Sequence, residues 1–144
     1  MPTARNHGAI GTVNNKIYYV AGRVGSAFIT RASNVGLVEE YDPATDSWSP
    51  IRARMPTPRS AVAYGVHGGR VYVADLYGKR LVEIDPASGA TLRSVGVGAM
   101  ASGVSVTPDG KTILVADRDD NAISIIDAAS FQRVATLAVG RHPF

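Results

Sequence analysis

The sequence predicts an all-β chain: a segment of β-propeller made of three four-stranded antiparallel blades. Two repeat spacings and one absence carry this. Val73-Ala74-Asp75 recurs as Val115-Ala116-Asp117, Ile84-Asp85 as Ile126-Asp127 and Val97-Gly98 as Val139-Gly140, each 42 residues on. Met1-Pro2-Thr3-Ala4-Arg5 is echoed by Met55-Pro56-Thr57-Pro58-Arg59 at 54, and Asn14-Asn15-Lys16 by Gly68-Gly69-Arg70 at the same offset. Nowhere does an apolar period of 3.6 persist, so no substantial helix is expected. Units of this length, each holding several short strands, are propeller blades.

The elements follow in order within each unit. Ala9–Val13, Ala61–Val66 and Ser102–Thr107 are short runs of small and β-branched residues, suited to the first strand beside a crowded axis. Asn14-Asn15, Gly68-Gly69 and Asp109-Gly110 then supply residues that tolerate positive φ, as a tight hairpin requires. Ile17–Ala21, Val71–Ala74 and Thr112–Ala116 are nearly continuous apolar runs, and so second strands buried on both faces. Third strands fall at Leu37–Tyr41, Leu81–Ile84 and Ala122–Ile126. Turns at Asp42-Pro43, Asp85-Pro86 and Asp127-Ala128 lead to fourth strands near Ser47–Ile51, Thr91–Val95 and Arg133–Val139. The blades divide at about 1–54, 55–98 and 99–144.

Composition narrows the function classes. A charged fraction of 19% against 45% hydrophobic residues is ordinary for a globular domain. The net charge of +3 comes from scattered basic residues with no run of like charge, so neither nucleic acid nor a membrane surface is expected as partner. The absence of cysteine excludes disulfides, thiolate catalysis and cysteine-based zinc sites. No apolar stretch reaches the length of a membrane-spanning helix. Residues 1–7 lack the apolar core of a signal peptide, which reads as cytoplasmic if that N-terminus is authentic.

The first unit resembles a kelch repeat. The residues that carry the likeness are Lys16-Ile17-Tyr18-Tyr19-Val20-Ala21-Gly22, Glu40-Tyr41-Asp42-Pro43-Ala44-Thr45-Asp46-Ser47-Trp48 and the two Met-Pro-Thr-x-Arg strings. Ala21-Gly22 stands where that family usually has a glycine pair. The last unit is similar to a YVTN repeat, through Thr107-Pro108-Asp109-Gly110-Lys111, Leu114-Val115-Ala116-Asp117, Ile123-Ser124-Ile125-Ile126-Asp127 and Val139-Gly140-Arg141-His142-Pro143. The middle unit opens as kelch and continues as YVTN. These resemblances imply the propeller fold and a broad association with binding and scaffolding. They equally leave open a fragment of a propeller enzyme: an oxidase, an epimerase or a lactonase-type hydrolase. Three blades are fewer than closed rings contain. The tail Val139–Phe144 reads as the lead-in to a further blade, so the expectation is part of a larger ring, or a homo-oligomer that completes one.

One rim gathers the loops after second and fourth strands, and loops on a rigid scaffold carry function. Candidate binding residues there are Arg5, His7, Arg23, Arg59, Asp75, Tyr77, Asp117, Arg118 and Asp119. A protein or a small polar or anionic ligand is the expected partner, and no cofactor is predicted. Arg5 and Arg59 occupy equivalent positions, either to grip an anion or to tie loops together. Asp117-Arg118-Asp119-Asp120-Asn121 offers hard oxygens for Ca²⁺, but without the EF-hand pattern it reads as a solvated turn. His7 and His142 share the rim without a third ligand for a metal. Ser60, His7 and Asp75 make a triad only on paper, with no nucleophile elbow. The loop Gly22–Gly36, with Phe28 and Ile29, is long enough to be functional or disordered. Trp48 and Tyr41 read as packing anchors between blades, and a fully buried Trp48 would cost about 3–5 kcal/mol on replacement by alanine.

Overall fold

The computed structural model describes residues 1–25, 33–59 and 63–144. It contains twelve strands in three antiparallel sheets, each ordered as in the chain. The first sheet holds β1 (Ala9–Val13), β2 (Lys16–Val20), β3 (Val35–Asp42) and β4 (Ser47–Arg59); the second holds β5 (Ala63–His67), β6 (Arg70–Asp75), β7 (Arg80–Ile84) and β8 (Thr91–Gly96). The third holds β9 (Ala101–Val106), β10 (Thr112–Asp117), β11 (Ala122–Asp127) and β12 (Gln132–Ala138). The chain is thus a three-bladed portion of a β-propeller. β4 runs well past the expected Ser47–Ile51, with shifts in its pairing to β3 that let so long a strand follow the twist. Phe28, Ile29 and Ser60 lie outside the described residues.

The turns follow the chemistry of their residues. Asn14 and Asn15 sit at φ 50° and 60°, and Gly68 and Gly69 at 56° and 76°. Left-handed backbone at both central positions matches the right-handed twist of the flanking strands, and asparagine and glycine tolerate it best.

What joins the blades is an alternation along each innermost strand. In β1, Ala9 and Gly11 face the second blade, while Ile10 and Thr12 face away from it. In β5, Tyr64 and Val66 share the face of Val73 and Val71, toward the first blade, while Ala63 and Gly65 face the third. In β9, Val104 and Val106 face the second blade, while Gly103 and Ser105 face outward. A Cβ built on Gly11 would stand 2.5 Å from Val66 Cγ2 and 3.8 Å from Val66 Cβ. One built on Gly65 would stand 3.2 Å from both Val104 Cγ1 and Val106 Cγ2. Small residues therefore admit the bulky residues of the next blade. Behind this seam lie two apolar cores. Val20, Val38, Val71, Val73 and Ile84 fill the first, and Leu81, Ile113, Val115, Ile126 and Phe131 the second.

The buried glutamates of the first and second blades are paired, as burial demands. Glu40 accepts from Tyr18 Oη at 2.6 Å and Lys16 Nζ at 2.9 Å. Glu83 accepts from Arg93 Nε at 2.5 Å, and Arg93 also donates to the carbonyls of Ala129 and Ala128 in the third blade. The Arg93 guanidinium lies 4.7 Å from the Phe131 ring centroid, and Phe131 is buried at a left-handed φ of 55°.

Trp48 departs from expectation. It is half-buried and packs on Tyr41 at 5.2 Å between ring centroids, and Tyr41 donates to Asp46 Oδ1 at 2.6 Å. The register Ile17–Tyr41–Trp48 puts both rings on the face of the first sheet that turns away from the second blade. The penalty for Trp48→Ala accordingly falls below that of a fully buried indole.

Gly11→Ala tests the seam. The added methyl meets a stiff β-branched side chain, so a loss of about 1–3 kcal/mol is expected in urea unfolding. Unchanged stability would show that the first two blades can separate without cost.

Candidate functional site

Chain topology brings the candidate residues to one end of the three sheets, where β2, β6 and β10 finish and where residues 1–8, 97–100 and 139–144 run. Their environments differ sharply. The side chain of Arg5 is fully enclosed, as is that of Glu39. Arg5 Nη1 donates to Glu39 Oε2 at 2.6 Å, Nε to the Ala21 carbonyl at 2.8 Å and Nη2 to the Tyr19 carbonyl at 2.8 Å, with Tyr19's ring 4.7 Å from the guanidinium. Every guanidinium nitrogen is engaged inside the first blade, so Arg5 fastens the N-terminal segment to β2 and β3 and does not present a free cation. Of Arg59, at the end of β4, the side chain lies outside the described residues.

Asn6 organises the rim of the first blade. Its Oδ1 accepts from Arg23 Nε at 2.9 Å and lies 2.8 Å from His7 Nδ1, while its main chain pairs with Arg23 in both directions. His7 is exposed, at φ 54°. On the second blade, Asp75 accepts from the Gly78 amide at 3.0 Å and Arg80 Nε at 3.4 Å, which ties the β6–β7 turn to itself. Tyr77 projects from that turn, 64% exposed.

On the third blade Asp117 is buried at 1% exposure, facing the second blade. Its Oδ2 accepts from Ser124 Oγ at 2.6 Å, and Oδ1 has no hydrogen bond of good geometry. Burial drives its carboxyl above the ordinary carboxylate range, with Ser124 and the nearby Gly98 amide pulling less strongly the other way. Arg118, Asp119 and Asp120 form a 3₁₀ turn closed by Asn121 at φ 51°. Asp120 Oδ2 accepts from the Ala99 amide at 2.8 Å and Asn121 Oδ1 from the His142 amide at 3.1 Å, while Arg118 lies over the ring of Phe144. Asp119 is exposed.

Asp75 is turned into its own loop, whereas Asp120 and Asn121 tie their turn to residues 97–100 and to the tail, with the Asp117 and Asp120 carboxylates both beside Gly98. Among the described residues no group of three His, Cys, Asp or Glu could hold a metal ion. Asn6 and Ser124 were not singled out by sequence reasoning: Asn6 lies in the run before β1 and Ser124 inside β11, and the partners that give them a role are distant in sequence or on another strand.

Residues 4–53 match the Kelch motif. The Kelch repeat therefore takes in the Arg5–Glu39 pair and the Tyr41–Trp48 stack. No curated protein sequence matches the chain. Solved structures do, and these neighbours are propeller proteins. Hydrazine synthase from Kuenenia stuttgartiensis is 20% identical over 93% of this chain and 36% of its own, with TM-score 0.67. AztD from Citrobacter koseri is 24% identical over 88% and 33%, with TM-score 0.62. YjhT is 15% identical over 96% and 53%, with TM-score 0.67. At these identities the likeness establishes the fold, and the chain spans about a third to a half of each neighbour's length.

Two substitutions separate fold-forming from available charge. Arg5→Met leaves enclosed Glu39 without its cation and is expected to cost about 3–5 kcal/mol. The double variant Arg5→Met, Glu39→Met should recover part of that, and a loss for the single variant under about 1 kcal/mol would contradict the enclosure. Asp117 carries the opposite sign. Because its folded-state affinity for a proton exceeds that of the unfolded chain, it makes the protein more stable as pH falls from 7 toward 4. Asp85, Asp109 and Asp127, held low by hydrogen bonds from neighbouring hydroxyls and amides, lose their contributions only below that window. Asp117→Asn should flatten the stability profile between pH 4 and 7; an unaltered slope in urea titrations would refute the assignment.

Proposed function

We propose that this chain is a recognition module, in which a propeller scaffold presents rim loops to a protein or to a small polar or anionic ligand. The observation that carries the reading is Tyr77. A large aromatic at 64% exposure sits on a turn fixed by the bonds of Asp75 to Gly78 and Arg80. An exposed tyrosine on a preorganised turn combines apolar area with a hydroxyl at small entropic cost, the profile of a binding anchor. Arg23 and His7, oriented by Asn6, add hydrogen-bond donors at the same end for an anionic or carbonyl-rich partner. On this reading the second half is a YVTN-type segment that supplies the other rim loops. Recognition is favoured over catalysis because the rim acids already hold structural partners: Asp75, Asp117 and Asp120 bond to Arg80, Ser124 and Ala99 respectively, and no group of three His, Cys, Asp or Glu gathers among the described residues.

A displayed library of acidic and neutral peptides, selected on the whole protein, provides the test. Tyr77→Ala and Arg23→Ala should each weaken the selected peptides by about tenfold or more, as the loss of an interface anchor does, with thermal melting unchanged. Peptides that bind the variants as tightly as the parent would reject the rim as the recognition surface.

A further inference from the structure

The polarity of the blades leaves two complementary faces that no other blade covers among the described residues, one of them crossed at its rim end by the chain's own tail. Each innermost strand turns small residues toward the following blade and bulky ones toward the preceding blade. At the C-terminal side, the small face is that of the third blade. Gly103 and Ser105 of β9 stand at the register positions of Ala63 and Gly65 in β5, and of Ala9 and Gly11 in β1. Behind them Leu114, Ala116 and Ile123 line a groove of about 230 Å³. Its rim end is covered by the tail, where Ser102 Oγ donates to the Pro143 carbonyl at 3.0 Å and a Cβ built on Gly103 would stand 2.9 Å from the Phe144 main-chain carbon, so the open part of the face is at exposed Ser105. At the N-terminal side, the bulky face is that of the first blade. Ile10, 46% exposed, and Thr12 occupy the positions of Tyr64 and Val66, and of Val104 and Val106. Ile17 and Tyr41 continue that face in the positions of Val71 and Ile84, both of which lie in the core between the first and second blades.

We infer that the outer face of the third blade takes the outer face of the first blade of a second copy, head to tail, with Thr12 of one copy seated over Ser105 of the other as Val66 is seated over Gly11. The occupant is a second copy because the chain itself carries the matching strand, in the register that already works twice within it. Two such contacts close a ring of two chains and satisfy both faces of each, whereas one contact would leave the problem unsolved. Two copies would make a ring of six blades, within the four to eight that closed propellers hold. The apolar character of both faces supplies the driving force.

The chain has no cysteine, so a cross-link test is clean. Within the chain the equivalent pair is Gly11 and Val66, where a Cβ built on Gly11 stands 3.8 Å from Val66 Cβ, inside the range of a disulfide. Thr12→Cys protein mixed with Ser105→Cys protein under mild oxidation should yield a covalent heterodimer. Thr12→Cys mixed with a control cysteine at the opposite end of the third blade, Asp119→Cys, exposed in the turn between β10 and β11, should not. Light scattering coupled to size exclusion should report twice the chain mass of 15.1 kDa for the unmodified protein. Ile10→Glu, at an exposed position that spares folding, should weaken association by roughly a hundredfold while the far-ultraviolet dichroism is retained. A monomer at every concentration, or an association that forms the Asp119 cross-link as readily as the Ser105 one, would overturn the proposal. Either result would leave the Tyr77 reading of the rim standing.

Discussion

The constraint on which the rest depends is the close approach of successive innermost strands. Near the axis of a propeller the blades converge, and there is no room for two full side chains between them. The chain meets this with residues that alternate small and β-branched along β1, β5 and β9, so that one blade's valine enters the space left by its neighbour's glycine. Farther from the axis the sheets diverge, and the gap fills with progressively larger side chains, up to Phe131 and Leu81. The rim inherits its geometry from that arrangement. Loops that leave rigid, mutually packed sheets hold Tyr77, Arg23 and His7 at one end without needing a core of their own.

Charge is used mainly for assembly. Arg5, Arg93 and Arg80 each satisfy a carboxylate and secure a segment that the sheet hydrogen bonds do not reach: the N-terminal strap, the adjoining blade and a hairpin turn respectively. In the enclosed Arg5–Glu39 pair desolvation offsets much of the attraction, while Arg93 and Arg80 keep their cations partly in solvent. Asp117 is the exception, a carboxyl placed between blades with one oxygen unsatisfied.

The strands were legible because their information is local. Period-two alternation, Asn-Asn and Gly-Gly turns and the 42- and 54-residue echoes place nearly every strand to within a residue or two. What was not legible depends on distance along the chain. Glu39 lies 34 residues from Arg5, and nothing near Arg5 announces that partner. The burial of Asp117 is imposed by the second blade, although the residues around it read as a solvated turn. Trp48 was overestimated for the converse reason: a kelch-like string implies a neighbour on both sides of the sheet, and its side has none among the described residues.

Phe131 shows how a contact between blades reaches back into a turn. The equivalent hairpin positions in the other blades hold Asp46 and Gly89, both at positive φ, where a bulky aromatic is the least natural occupant. Phe131 tolerates that backbone because its ring fills the space beneath Arg93 and against Tyr72. The three units are therefore not interchangeable parts. A blade that brings a phenylalanine at this turn needs an arginine and a tyrosine on the blade before it, so the order of repeats is itself written into the side chains, and shuffling them would break the fold even though each unit kept its own strands and turns.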